Sequence, residues 1–269
     1  MESSRFLDCL QADYRRIREV VPGHFDAPVP TCPGWTVADL TRHVAQVYLH
    51  KVEVMRHGKE SDVWPPAGFA QADPVGLLDQ DYAELVSEFT ARGPDAASKT
   101  WYAPDQTVGF WVRRMAQETV IHRIDAELGA GASVRPVPHD LAVDGIDELL
   151  KTIVRYGFTE WPEDFTGVLD SSPGRALVLR ADAGGTSPSI SWLVRTGPGR
   201  LTVDGGPGTD LDASVRPDAT VSGPPTELLG WAWNREAAPG GAGQASSVLI
   251  DGDPAAVTEF RRCVVQATQ

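Results

Sequence analysis

Residues 110–129 read FWVRRMAQETVIHRIDAELG, a run without proline or internal glycine and with apolar side chains on every side of a helical turn. Placed on a helix with Glu118 at zero, His122 falls at about 40°, Asp125 at about −20°, Arg114 at about −40°, Trp111 at about 20° and Met115 at about 60°. Four ionisable groups therefore share a face with Trp111, Met115, Ile121 and Leu128. Val112, Val120 and Ile124 fill the opposite side, so the helix is expected to be buried over most of its circumference. Charges on an inward face are unfavourable unless paired or bound to metal. Glu118 and His122, four residues apart, project side by side, a spacing at which two donors reach one cation. An ion pair with Arg114 or a solvated face accounts for the same pair without a cation.

Working outward, the preceding sequence predicts three more helices. Residues 4–21 place Phe6, Leu10, Ile17 and Val20 or Val21 at helical spacing before the breaker Pro22-Gly23. After Pro33-Gly34-Trp35, Thr36 can cap a helix, with Asp39 three residues on. Its stripe is Val37, Leu40, Val44, Val47, Lys51 and Val54, ending at Gly58. A third helix covers about 75–91 and stops at Gly93-Pro94. A fifth, beyond Gly129-Ala130-Gly131, covers about 139–157. Past Gly157 the texture changes: 175–181, 189–196, 200–204 and 219–222 alternate as strands between Gly/Pro turns. Short helices over 225–235 and 254–266 follow, with a strand 247–250 between them. The fold class is α+β. An N-terminal helical bundle over 1–160 precedes a smaller C-terminal α+β domain over 161–269, with the boundary near 160–172.

The chain of 269 residues carries 24 Lys+Arg against 37 Asp+Glu, a net charge of −13. That balance opposes binding to nucleic-acid phosphates. No apolar run approaches the roughly 20 residues of a membrane span, and the N-terminus MESSRFLDCLQADYRR has no signal-peptide core. Cys9, Cys32 and Cys263 form neither a disulfide framework nor a zinc-type pair. A cytoplasmic protein with a small-molecule partner, more monomer than oligomer, is the expectation.

His43, His50 and His57 recur every seven residues on the second helix. Seven residues rise about 10.5 Å, whereas two nitrogens on one zinc ion can be only about 4 Å apart. At most one of them binds a given ion. The row drifts from the apolar stripe toward solvent, leaving His43 best placed to look into the bundle and to join Glu118 and His122. A fourth coordination position would stay open, as in catalytic sites. His50 and His57 read as surface residues, His24 and His139 as loop or helix-start residues, Cys32 as a small packed side chain. No Gly-rich phosphate loop or GxSxG elbow is present.

The segment Pro33-Gly34-Trp35-Thr36-Val37-Ala38-Asp39-Leu40 with His43, and the helix Arg114 to Glu127 with Glu-x3-His-Arg-x-Asp, resemble the two motifs of the mycothiol-dependent maleylpyruvate isomerase family, within the DinB-like bundle superfamily. Val221-Ser222-Gly223 through Leu228 to Arg235 is similar to the family's C-terminal domain. Ile124 stands where the family often has Trp, on the side away from the ligands. The resemblance implies a divalent metal, usually zinc, on His43, Glu118 and His122, with mycothiol as thiol cosubstrate and an actinobacterial source. The source agrees with a basic complement of 20 Arg and four Lys. It also implies a thiol made reactive as a metal-bound thiolate that attacks a small electrophile, as an S-transferase or a cis-trans isomerase. The isomerase uses an arginine of its C-terminal domain, for which Arg235 is the candidate here. Asp125 would support a ligand or bind polar groups of the thiol, and Arg114 would pair with Glu118 or Asp125 or bind a substrate carboxylate. A metal-dependent hydrolase and a non-catalytic ligand-binding bundle are the competing readings. Loops 59–74 and 93–108 and the domain junction are expected to shape the pocket.

Overall fold

The computed structural model describes residues 1–59, 62–182, 189–212, 214–236 and 247–268; residues 60 and 61 of the loop after the second helix lie outside them. The chain divides into two compact units, Met1–Arg135 and Pro136–Gln269.

The first unit is a bundle of four long helices: α1 (Ser3–Val20), α2 (Val37–His57), α3 (Pro74–Arg92) and α4 (Val108–Gly129). Their starts follow from local chemistry. Thr36 and Asp39 form a reciprocal capping box on α2, Asp39 N–H donating to Thr36 Oγ1 at 3.2 Å and Thr36 N–H to Asp39 Oδ2 at 3.0 Å. Asp73 caps α3 ahead of Pro74, and Thr107 caps α4. α1 packs on α4, and α2 on α3 and α4. The central helix, α4, buries Arg114, Gln117, Thr119, His122, Arg123, Asp125 and Glu127 along with its apolar residues. α2 runs antiparallel to it, as the Lys51 ammonium 5.0 Å from the Trp111 ring and the Tyr48 hydroxyl 2.6 Å from Thr119 Oγ1 fix at two levels. The buried charges of the α1–α4 seam are matched: Arg123 donates to Asp13 at 3.0 Å and to Glu127 at 2.7 Å, and Arg16 reaches Glu127 at 2.7 Å.

In the second unit a continuous helix, α5 (His139–Asp147), a π-helical stretch (Glu148–Arg155) and α6 (Tyr156–Glu160), precedes a five-stranded mixed sheet. The strands are β1 (Arg175–Ala181), β2 (Ile190–Gly197), β3 (Arg200–Gly205), β4 (Ala219–Gly223) and β5 (Leu249–Gly252), in the order β3-β2-β1-β4-β5. Among the described residues only the β1–β4 pairing is parallel. α7 (Pro225–Ala232) and α8 (Pro254–Ala267) pack on the sheet, with Trp192, Trp231 and Phe260 in its core. No helix among the described residues is long and apolar enough to cross a membrane.

Two features differ from the sequence expectation. The division falls at residues 135 and 136 rather than 160–172, so the units are nearly equal in length. The helix that begins at His139 packs against α7, and its π-helical stretch against β3. Periodicity reveals that such a helix has an apolar face but not which partner covers it. α7 ends at Ala232 instead of 235, because Asn234 adopts φ 56° and closes a Schellman turn. There Asn234 N–H donates to the Trp231 carbonyl at 3.2 Å and Arg235 N–H to the Gly230 carbonyl at 2.7 Å.

Candidate metal centre

His43 comes from α2, and Glu118 and His122 from successive turns of α4. His43 Nε2 lies 3.5 Å from Glu118 Oε1, and His122 Nε2 lies 3.1 Å from the same oxygen. The two imidazole rings meet edge to face with centroids 4.9 Å apart. One donor atom from each of the three residues lies within 4.8 Å of the others. Donors around a tetrahedral ion with bonds of about 2.1 Å stand about 3.4 Å apart, so small side-chain rotations close the set. Two nitrogens and a carboxylate oxygen are the donor chemistry such an ion takes, and the residues fit it. His43 keeps 34% of its side-chain exposure, so the group is open on that side, whereas His122 is buried.

Burial opposes a charge on Glu118, yet the adjoining Arg114 guanidinium and hydrogen bonds from His122 and His43 hold its carboxyl well below the usual range. Arg114, itself buried, donates to Glu118 Oε2 and leaves Oε1 facing the imidazoles. Burial would also lower His122, but hydrogen bonds to Asp125 and Glu118 outweigh it and raise the ring to about 9. His122 thus sits between the carboxyl groups of Glu118 and Asp125. His122 Nδ1 donates to Asp125 Oδ2 at 3.0 Å, and Nε2 points at Glu118.

Two family models match the chain. Residues 7–127 match the model described as the mycothiol maleylpyruvate isomerase N-terminal domain, and residues 140–259 the MDMPI C-terminal domain. The chain belongs to the mycothiol-dependent maleylpyruvate isomerase family. Among solved structures it is similar to a crystal structure of the mycothiol-dependent maleylpyruvate isomerase, with 16% identity and a TM-score of 0.50 over 92% of this chain and 96% of that one. It is also similar to a histidine-to-alanine mutant of that protein, with 17% identity and a TM-score of 0.49 over 88% and 90%. No curated protein matches the sequence.

The remaining candidates fall in different places. Asp125 is fully buried and both of its oxygens are engaged, so it stands behind His122 and offers no free edge to a thiol. Arg114 faces Glu118, its first expected partner. Arg235 belongs to the second unit, where its guanidinium donates to the Trp233 carbonyl at 2.7 Å. His24 and His57 are exposed, and His50 is half-buried against the Trp64 ring. Sequence reasoning missed the part of Thr31, Cys32 and Trp35. The Trp35 ring lies 4.8 Å from that of His43, and Thr31 and Cys32 both reach Asp125. Pro33-Gly34 was the available signal, since Pro followed by Gly specifies a tight turn. The second unit also has an open groove of about 430 Å³ at the ends of β1, β2 and β3. Two of its arginines, Arg175 and Arg195, are already paired with Asp253 and Asp204, which makes it ordinary charged surface.

Proposed function

We propose that this family member is an enzyme that joins mycothiol to a small electrophile, as an S-transferase or a cis-trans isomerase of the maleylpyruvate isomerase type. The observation that carries the reading is the level meeting of His43, Glu118 and His122. A divalent cation held by these three, zinc by its match to N and O donors, would supply the charge that keeps a thiol sulfur deprotonated near pH 7. The chain's own residues set up that chemistry. Glu118 brings one negative charge, and with two neutral imidazoles the donor set leaves part of a dication's charge uncompensated. Arg114 fixes the Glu118 carboxylate through Oε2 and keeps Oε1 turned toward the donors. Asp125 accepts a hydrogen bond from His122 Nδ1–H, which directs Nε2 to the site. The half-exposed His43 leaves an approach for the thiol. Arg235 is proposed as the arginine of the second unit that acts on the electrophile.

Metal analysis and thermal melts test this reading. Purified protein is expected to hold about one divalent ion per chain, and His122→Ala to lose it. Mycothiol should raise the melting temperature of the loaded protein and leave the metal-free protein unchanged. Stoichiometric zinc in His122→Ala would defeat the ligand set, and a thiol that acts equally with and without metal would defeat the mechanism. Arg235→Ala should lower turnover while mycothiol binding stays intact; unchanged turnover removes Arg235 from the scheme.

A further inference from the structure

The loop ahead of α2 touches His43 directly and reaches His122 through Asp125. Cys32-Pro33-Gly34-Trp35 form a tight turn: Trp35 N–H donates to the Cys32 carbonyl at 3.0 Å, and Gly34 has φ 84°. Pro at the second position and Gly with positive φ at the third are the requirements of a type II turn. The loop is closed at its base, where Val29 N–H donates to the Trp35 carbonyl and Val37 N–H to the Ala27 carbonyl, both at 2.9 Å. Pro28 and Thr36 form an isolated antiparallel bridge in between. On this frame Thr31 Oγ1 donates to Asp125 Oδ1 at 2.5 Å, and Cys32 Sγ lies 3.6 Å from Asp125 Oδ2. Asp125 in turn accepts a hydrogen bond from His122 Nδ1–H, while Trp35 packs on the His43 ring.

We propose that Thr31 is a positioning residue: its hydroxyl locks the buried Asp125 carboxylate, which fixes the ring orientation of His122, and the loop that carries it braces His43 through Trp35. The physical argument is one of alternatives. Asp125 is fully buried, so losing the Thr31 hydroxyl would leave its carboxylate less constrained and loosen its hold on His122. Partners behind a ligating histidine typically change metal affinity ten- to a hundredfold. The inference rests on the metal reading above.

The test uses the full chain and zinc, with affinity measured by chelator competition. Thr31→Val keeps shape and removes the donor; it should bind zinc at least about tenfold more weakly. Thr31→Ser restores the donor and should stay within about threefold of the parent. Circular dichroism and melts of the metal-free proteins separate misfolding from lost positioning. Unchanged affinity in Thr31→Val overturns this inference alone. Failure of the parent protein to take up zinc overturns both it and the metal reading. Should Thr31→Val not fold, NMR of the zinc-loaded parent decides: a slowly exchanging Nδ1 proton on His122 supports the proposal, and coordination through Nδ1 overturns it.

Discussion

At the scale of single residues, the bundle hides carboxylates under very different conditions. Asp125 and Glu127 are buried among donors that match them, whereas Asp81 on α3 is 1% exposed and its Oδ2 accepts no hydrogen bond. Burial, with a smaller contribution from the charge of Glu84, pushes Asp81 up to about 7. The folded-state value thus lies above the unfolded one near 3.8. Asp81 favours folding only while protonated, so its contribution is complete below about pH 4 and fades as pH rises to 7. Asp81→Asn mimics the neutral form at every pH. It is expected to raise the melting temperature by several degrees at pH 8 and to make no difference at pH 4. Melts across that range check it, and a variant less stable than the parent at pH 8 would contradict the account.

Among elements, α4 and the Cys32–Trp35 turn do different work. α4 supplies Glu118, His122 and Asp125 and is held from all sides, so the spacing of these groups is set by helix geometry. The turn depends on one backbone angle. Gly34 is exposed and has nothing within 4 Å of where a Cβ would stand, so any cost of substitution is conformational. Gly34→Ala should destabilise the protein by about 1 kcal/mol, a fall of a few degrees in melting temperature. Gly34→Asn, which tolerates positive φ, should lose less. Equal stability of all three proteins would show that the turn relaxes freely.

For the molecule as a whole, every atom of the His43–Glu118–His122 set and of its Thr31–Asp125 support belongs to Met1–Arg135. The first unit has its own core, with α1 to α4 burying Leu10, Ile17, Leu40, Val44, Leu78, Leu85 and Ile121. Residues 1–135 expressed alone are therefore expected to show a helical circular dichroism spectrum and to bind zinc within about tenfold of the full chain, but not to turn over an electrophile. Loss of zinc binding in a folded fragment would make the second unit part of the metal site.

The run of residues 110–129 determined that α4 is a buried helix, and the Glu-x3-His spacing that both side chains leave one face, because a helix converts sequence separation directly into angle and rise. Thr36 likewise carries its cap in its own chemistry, whereas Asn234 stood inside the helix expected over 225–235 and only its φ of 56° revealed the stop. The sequence alone also excluded a shared ion for His43, His50 and His57. Only the tertiary structure decided that His43 stands level with Glu118, that the helix from His139 belongs with the sheet, and that Thr31 reaches Asp125 across 94 residues of chain. Those facts depend on how separate elements slide and rotate against one another. That is settled by summed packing of many side chains, and no local spacing records it.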